Sequence, residues 1–464
     1  MFAFSAVNLG CSKNLVDLEF AIGEILKWSD RAPVEYISDP DDPNAEYVIV
    51  NTCGFLSSAR RESEETLAYY DSLWKKLVLM GCYVSVKDDA FLSSLKNLKA
   101  VVPFISYSTI EELVTGKKSK FNLGAIARAR KAAHESKEAK LTEYLESIQA
   151  PGKWNKAFVW TGNEVRAYIH APFGYEYLKI AEGCDNNCTF CIIPNIRGRQ
   201  NSRKIEDVLS EVKMMLANGI REIQILAQDT TRYGTDINDG KGLLLDLLEK
   251  IDQLEGDFKF RVYYLYPDTL TLEHLDRLAK LKKFLPYFDI PFQHASEKVL
   301  KLMGRHYDRA HIDDMLLSIR TKFPQSFIRT SFIVGFPGEW DEDFEILKAF
   351  VERERFESVG IFEYHDEPLA ASSKLPNKID DETTRKRSTE IGVILERIYT
   401  EQRGTRKWQE SQGYIMELRK KTAIIRREIT APEVDEYDEI EYRLIDSPRD
   451  QLEIGSFVHY CQPS

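Results

Sequence analysis

At 464 residues, with 43% hydrophobic and 30% charged residues, the chain is long enough for two or three domains with buried cores. It holds no run of about 18 uncharged apolar residues, so no transmembrane helix is predicted, and its opening residues lack a basic segment or cleavage signature, which points to the cytoplasm. The net charge of −11 argues against binding dominated by polyphosphate and makes a basic protein the easier partner, although a local basic stripe can suffice for RNA.

Phe4–Leu9 reads as a strand ending at Gly10–Cys11, followed by a helix over about 14–26. Tyr47–Val50 is a short buried strand ending at Asn51-Thr52-Cys53, with a helix from about Ser57. Leu77–Met80 is a third, ending at Gly81–Cys82. Continuous apolar strands alternating with helices predict a doubly wound parallel sheet over residues 1–116. Each cysteine follows a strand by one to three residues, and ligands gather beyond the carboxyl ends of such strands. Cys11, Cys53 and Cys82 could therefore meet, or could simply be three small buried thiols.

Residues 117–170 form a charged linker or insertion. Between Lys117 and Lys140 eight Lys and Arg face two acidic residues, and 123–148 could be one helix. A solvated face is the plain reading, and a nucleic-acid or ribosome contact is the alternative.

Over 171–403 the alternation resumes, with strands expected at 177–181, 222–226, 260–265, 287–290, 328–334 and 358–362 and helices such as 205–217, 308–322 and 342–352 between them. Six parallel strands make an open (β/α)6 barrel, not the closed eight-stranded one. Residues 404–464 read as a small β-barrel. From Glu428 to Ser464 it carries ten acidic and two basic residues, either a solvated face or a dock for a basic protein.

The seven cysteines, an odd number without a secretion signal, speak against a disulfide framework. Cys184, Cys188 and Cys191 follow the first barrel strand at C-x3-C-x2-C spacing. Three thiolates can wrap one [4Fe–4S] cluster and leave one iron open, whereas a structural zinc site would need a remote fourth ligand. Cys461 reads as an incidental free thiol. No Walker loop, dinucleotide fingerprint or Ser/His/Asp arrangement points to another class.

The three-cysteine loop with Phe190 before its last cysteine resembles the signature of the radical S-adenosylmethionine superfamily. The resemblance implies that the open iron chelates S-adenosylmethionine and that Phe190 packs near the adenine. It also implies that Ile333–Glu339, with Gly335, lines the adenine, and that Pro291–Ser296, with Gln293, faces the cofactor from the end of the fourth strand. His294 alone reads as a structural histidine.

Together with Cys11, Cys53 and Cys82, and with a small β-domain at the end, nearly the whole chain resembles the methylthiotransferases. That resemblance implies a second [4Fe–4S] cluster on the N-terminal trio and a TRAM-like last domain. It further implies that S-adenosylmethionine serves as both methyl donor and radical source. The phrases at 9–17, 51–55, 177–184, 228–234 and 291–296 resemble the branch that modifies an aspartate β-carbon of ribosomal protein S12. An electron donor and a sulfur source, both unidentified, are implied as partners, and no membrane. Ser12, Leu18, the long 117–166 stretch and 363–368 depart from the family pattern. A tRNA adenosine methylthiotransferase and an iron–sulfur carrier without radical chemistry are the rival readings. The first would need a basic tail domain, and the second needs no adenine-lining segment.

Overall fold

The computed structural model describes residues 1–27, 29, 33–102, 107–116, 166–167, 174–406 and 408–462. The predicted insertion helix over 123–148 lies outside them.

The first sheet holds β1 (Phe2–Asn8), β2 (Val34–Tyr36), β3 (Tyr47–Thr52), β4 (Lys76–Gly81) and β5 (Leu98–Val101). Its order is β2-β1-β3-β4-β5 and every pairing is parallel. The apolar runs are continuous because successive residues serve opposite faces. Ile49 and Val78 join Leu18, Ile22 and Ile25 of helix Ser12–Leu26 in one core. Val48, Val50, Leu77 and Leu79 join Leu67 and Tyr70 of helix Ser57–Ser72 in another. The edge strands β2 and β5, three and four residues long, escape sequence reading because they are only half-buried.

β6 (Tyr175–Lys179) opens the second sheet, and a short antiparallel hairpin, β7 (Ala181–Glu182) and β8 (Asn201–Ser202), follows it in the chain. Then come β9 (Glu222–Leu226), β10 (Lys259–Val262), β11 (Phe284–Asp289), β12 (Phe327–Val334) and β13 (Ser358–Glu363). The order β13-β12-β11-β10-β9-β6, parallel throughout and with neighbours in chain order, is that of an open six-stranded partial barrel. Two predicted boundaries move for physical reasons. The strand expected at 260–265 stops at Val262, because Tyr264 has φ +57, which is left-handed backbone that leaves the ladder. The strand expected at 177–181 ends at Lys179, because Ala181 turns away to pair with Ser202.

β14 (Glu410–Leu418), β15 (Thr422–Arg427), β16 (Asp438–Glu441) and β17 (Phe457–Cys461) form an antiparallel sheet in the order β16-β15-β14-β17. It curls around Ile415, Ile425, Ile440, Val458 and Tyr460.

The chain forms two compact units. The first is Met1–Ile169 with Ala181–Asn186 and Cys191–Arg203, and the second is His170–Ile180 with Asn187–Phe190 and Lys204–Ser464. The C-terminal sheet therefore shares a unit with the barrel strands. Glu222, at the amino end of β9, receives Arg261 at 2.7 Å and Arg426 at 2.6 Å, all three buried. Tyr175 and Tyr177 both donate hydroxyl hydrogen bonds to Glu433, at 2.8 and 3.1 Å. No helix among the described residues is long and apolar enough to cross a membrane.

Candidate cluster and cofactor sites

In the first unit, the carboxyl ends of β1, β3 and β4 lead to Cys11, Cys53 and Cys82, as the parallel topology requires. Cys11 occupies the N-cap position of helix Ser12–Leu26. The Cys53 backbone N–H donates to Ser63 Oγ at 3.2 Å, and that hydroxyl donates back to the Cys53 carbonyl at 3.0 Å. Gly81 has φ +95, and a Cβ there would lie 2.4 Å from the Thr52 carbonyl. Only glycine lets β4 turn Cys82 inward so close to the end of β3.

Asn14 ties the trio together. Its amide N–H donates to the Thr52 carbonyl at 2.9 Å, just before Cys53. Its Oδ1 lies 3.7 Å from Cys11 Sγ and 3.5 Å from Cys82 Sγ. Burial pushes the Cys82 thiol up to about 11 and raises that of Cys53, in each case against the pull of Arg197. Cys11 is exposed at its edge. Packed surroundings push its thiol up, but Lys13, Arg197 and two backbone N–H groups outweigh this and hold it below the ordinary value. Three thiols that feel one another's charge lie beside two cations, a donor set suited to thiolates bound to metal.

Two cysteines of the C-x3-C-x2-C loop also lie in this unit. The Asn186 N–H points at Cys184 Sγ and the Ile193 N–H at Cys191 Sγ, each at 3.4 Å. Backbone donors aimed at sulfur fit thiolates that keep negative charge, as cluster ligands do. The loop base is closed by the Cys184 N–H to the Gly198 carbonyl at 3.1 Å. Among the described residues, no group of three or more His, Cys, Asp or Glu side chains is arranged to hold a single metal ion.

In the second unit, Cys188 Sγ lies 3.4 Å from the Tyr266 hydroxyl. Thr189 is pinned through its N–H to the Met303 carbonyl at 2.9 Å and through its Oγ1 to the Leu302 carbonyl at 2.8 Å. Phe190 packs on a cluster of Val299, Met303, Ile333 and Phe336. The structure thus brings Phe190 beside the strand end that carries Gly335, whose φ is +76.

Gln293 adopts φ +71 and exchanges backbone hydrogen bonds with Ser331 and Ile333 of β12, each 2.8 Å. With Tyr264 it is one of two left-handed non-glycine residues just past the carboxyl ends of barrel strands, and strained backbone concentrates at working sites. His294 is fully buried. Its Nδ1 accepts the Ser296 N–H at 2.9 Å and its Nε2 faces Glu339 at 3.9 Å. Burial drives its imidazole down to about 3, so the ring is neutral.

Sequence reasoning passed over Arg305, whose guanidinium lies 4.2 Å from the Tyr266 ring and 5.8 Å from the Phe190 ring. It also passed over Arg197. Neither stands in a spacing pattern, and only tertiary placement marks them.

A model described as the radical SAM superfamily matches residues 178–351, and one described as uncharacterized protein family UPF0004 matches residues 3–103. The ribosomal protein uS12 methylthiotransferase RimO of Clostridioides difficile is 34% identical over 99% of this chain and 95% of its own length. The enzyme of that name from Thermotoga maritima is 36% identical over 92% and 91%. The solved structure of the radical S-adenosylmethionine methyltransferase TsrM from Kitasatospora setae, with cobalamin and a [4Fe-4S] cluster bound, has a TM-score of 0.54 at 15% identity. It covers 80% of this chain and 77% of its own, a likeness of fold. With two cysteine sets on the matched folds and such relatives over nearly its full length, the chain belongs to the ribosomal protein uS12 methylthiotransferase (RimO) family of radical S-adenosylmethionine enzymes.

Proposed function

We propose that this protein attaches a methylthio group to the β-carbon of an aspartate side chain in ribosomal protein uS12. The observation that carries the reading is the gathering of Cys11, Cys53 and Cys82 around Asn14, in a chain that also bears the three-cysteine loop of radical enzymes. Cys184, Cys188 and Cys191 would hold one [4Fe–4S] cluster and the N-terminal trio a second, each leaving one iron without a protein ligand. With S-adenosylmethionine these groups supply one-electron bond cleavage, the methyl group and a place to present sulfur.

The chain's own residues position and shield. Phe190, Gln293 and Gly335 would line the cofactor, Gly335 by bringing bare backbone to the end of β12. Tyr266 fixes the Cys188 sulfur from one side. Thr189 ties the loop beside Cys188 to 302–303 and so would hold that ligand in place. No acid–base pair is required, since hydrogen abstraction by a carbon radical moves no free proton.

In the curled C-terminal sheet, the TRAM-like domain of this reading, Glu436, Glu439, Glu441, Asp446, Asp450 and Glu453 are exposed. They offer a negative surface to a basic ribosomal protein and a poor one to tRNA. An external electron donor and a sulfur source complete the partner set, and the ribosomal substrate puts the enzyme in the cytoplasm.

Anaerobic reconstitution with iron and sulfide, followed by incubation with S-adenosylmethionine and uS12, tests the reading. Two clusters per chain, 5′-deoxyadenosine and a uS12 peptide heavier by a methylthio group are expected. Clusters and cofactor cleavage with product on tRNA and none on uS12 would overturn the substrate assignment.

A further inference from the structure

Beside the three N-terminal cysteines stands a cation that does not come from their domain's own sequence. Arg197 ends the short helix Ile193–Arg197, six residues after Cys191, yet belongs to the same compact unit as Cys11, Cys53 and Cys82. Its side chain is 1% exposed. One nitrogen, Nη1, donates to both Glu182 oxygens at 2.8 and 2.9 Å and to Asp17 at 3.1 Å. The other, Nη2, donates to Asn14 Oδ1 at 2.5 Å. That oxygen is the one shared by Cys11 and Cys82. The guanidinium thus stands with its carboxylates at one end and the thiol pair, through Asn14, at the other.

Three features single it out. A fully buried arginine is costly unless paired, and Glu182 and Asp17 pair this one through Nη1. Its planar fork fixes direction, which a lysine ammonium would not. Glu182 and Arg197 also flank the Cys184–Cys191 loop, with Glu182 in β7 accepting the Gly183 N–H at 3.2 Å.

We propose that Arg197 is a positioning residue for the cluster held by Cys11, Cys53 and Cys82, holding the Asn14 carboxamide in place between Cys11 and Cys82 and putting a fixed positive charge beside the cluster. The inference rests on the two-cluster reading. Positive charge near a cluster's sulfurs stabilises its reduced form, so it raises its potential. The radical-motif segment thereby sets a property of the other cluster.

The test uses the full chain with Cys184, Cys188 and Cys191 replaced by alanine, so that only the N-terminal cluster is loaded. Its midpoint potential is followed by electron paramagnetic resonance during anaerobic titration. Arg197→Met should move the midpoint to more negative values, and Arg197→Lys, which keeps the charge, should return most of the shift. Where Arg197→Met leaves Glu182 bare and the protein does not fold, Arg197→Met with Glu182→Gln is read instead, with the shift in the same direction. A midpoint equal to that of the parent in a variant that still binds about four irons would overturn the inference. A parent that binds no cluster at all would overturn the two-cluster reading, and this inference with it.

Discussion

Glu222 and Arg426, separated by 204 residues, meet as a fully buried ion pair at 2.6 Å. Burial alone would push the Glu222 carboxyl up, but Arg261 and Arg426 outweigh it and hold the group below its ordinary value. Arg261 also donates to the Glu428 and Ile429 carbonyls at 2.7 and 3.0 Å. The C-terminal sheet is thereby bolted to the amino end of the barrel strands.

Removing one partner of a buried pair leaves uncompensated charge, at about 3–5 kcal/mol. Glu222→Ala strands two guanidiniums, so it should lower the chain's stability by at least that order. Denaturant unfolding should show the loss, and limited proteolysis should release a fragment beginning near β14.

The two cysteine sets should separate by activity. Cys188→Ala should abolish cleavage of S-adenosylmethionine, while Cys53→Ala should leave cleavage and abolish sulfur insertion. Product analysis by mass spectrometry reads both, and normal insertion by Cys53→Ala would sink the two-cluster assignment.

Gly335 bears on cofactor fit. At its φ of +76 a Cβ would lie 2.2 Å from Thr384 Oγ1. Strain of this kind costs on the order of 1–3 kcal/mol before the clash is counted. Gly335→Ala should weaken S-adenosylmethionine binding about tenfold or more, measured by equilibrium dialysis on the reconstituted protein. Pairing it with Thr384→Ser, which trims the methyl but keeps the clashing hydroxyl, should restore only a little.

His294 predicts an acid-sensitive term. Its folded-state value, driven to about 3 by burial, lies below the ordinary value of 6.5. Its contribution to stability is therefore present above pH 6.5 and lost as the pH falls toward 3. Between pH 7 and pH 5 the loss is about 2 kcal/mol. His294→Gln has no such group, so its stability relative to the parent should improve by that amount over the same interval. An unchanged difference between the two proteins at pH 7 and pH 5 would show that the imidazole titrates normally.

Period and punctuation in the sequence determined the strand–helix alternation, the parallel sheets and the two cysteine sets. Val48–Val50 and Leu77–Leu79 are apolar at every position because both sheet faces are covered, and that pattern survives in one dimension. The loop cysteines are legible because their ligand geometry is local. Asn14, Arg197, Arg305 and the Glu222–Arg261–Arg426 cluster were decided by tertiary structure alone. Their meaning lies in which distant side chain each one meets, and a charged residue in a sequence reads as a solvated one. Arg197 shows the difference, since its partners Asn14 and Asp17 lie more than 170 residues away in the chain. Only the fold, by bringing 191–203 to the N-terminal sheet, turns that charge into part of a sulfur site.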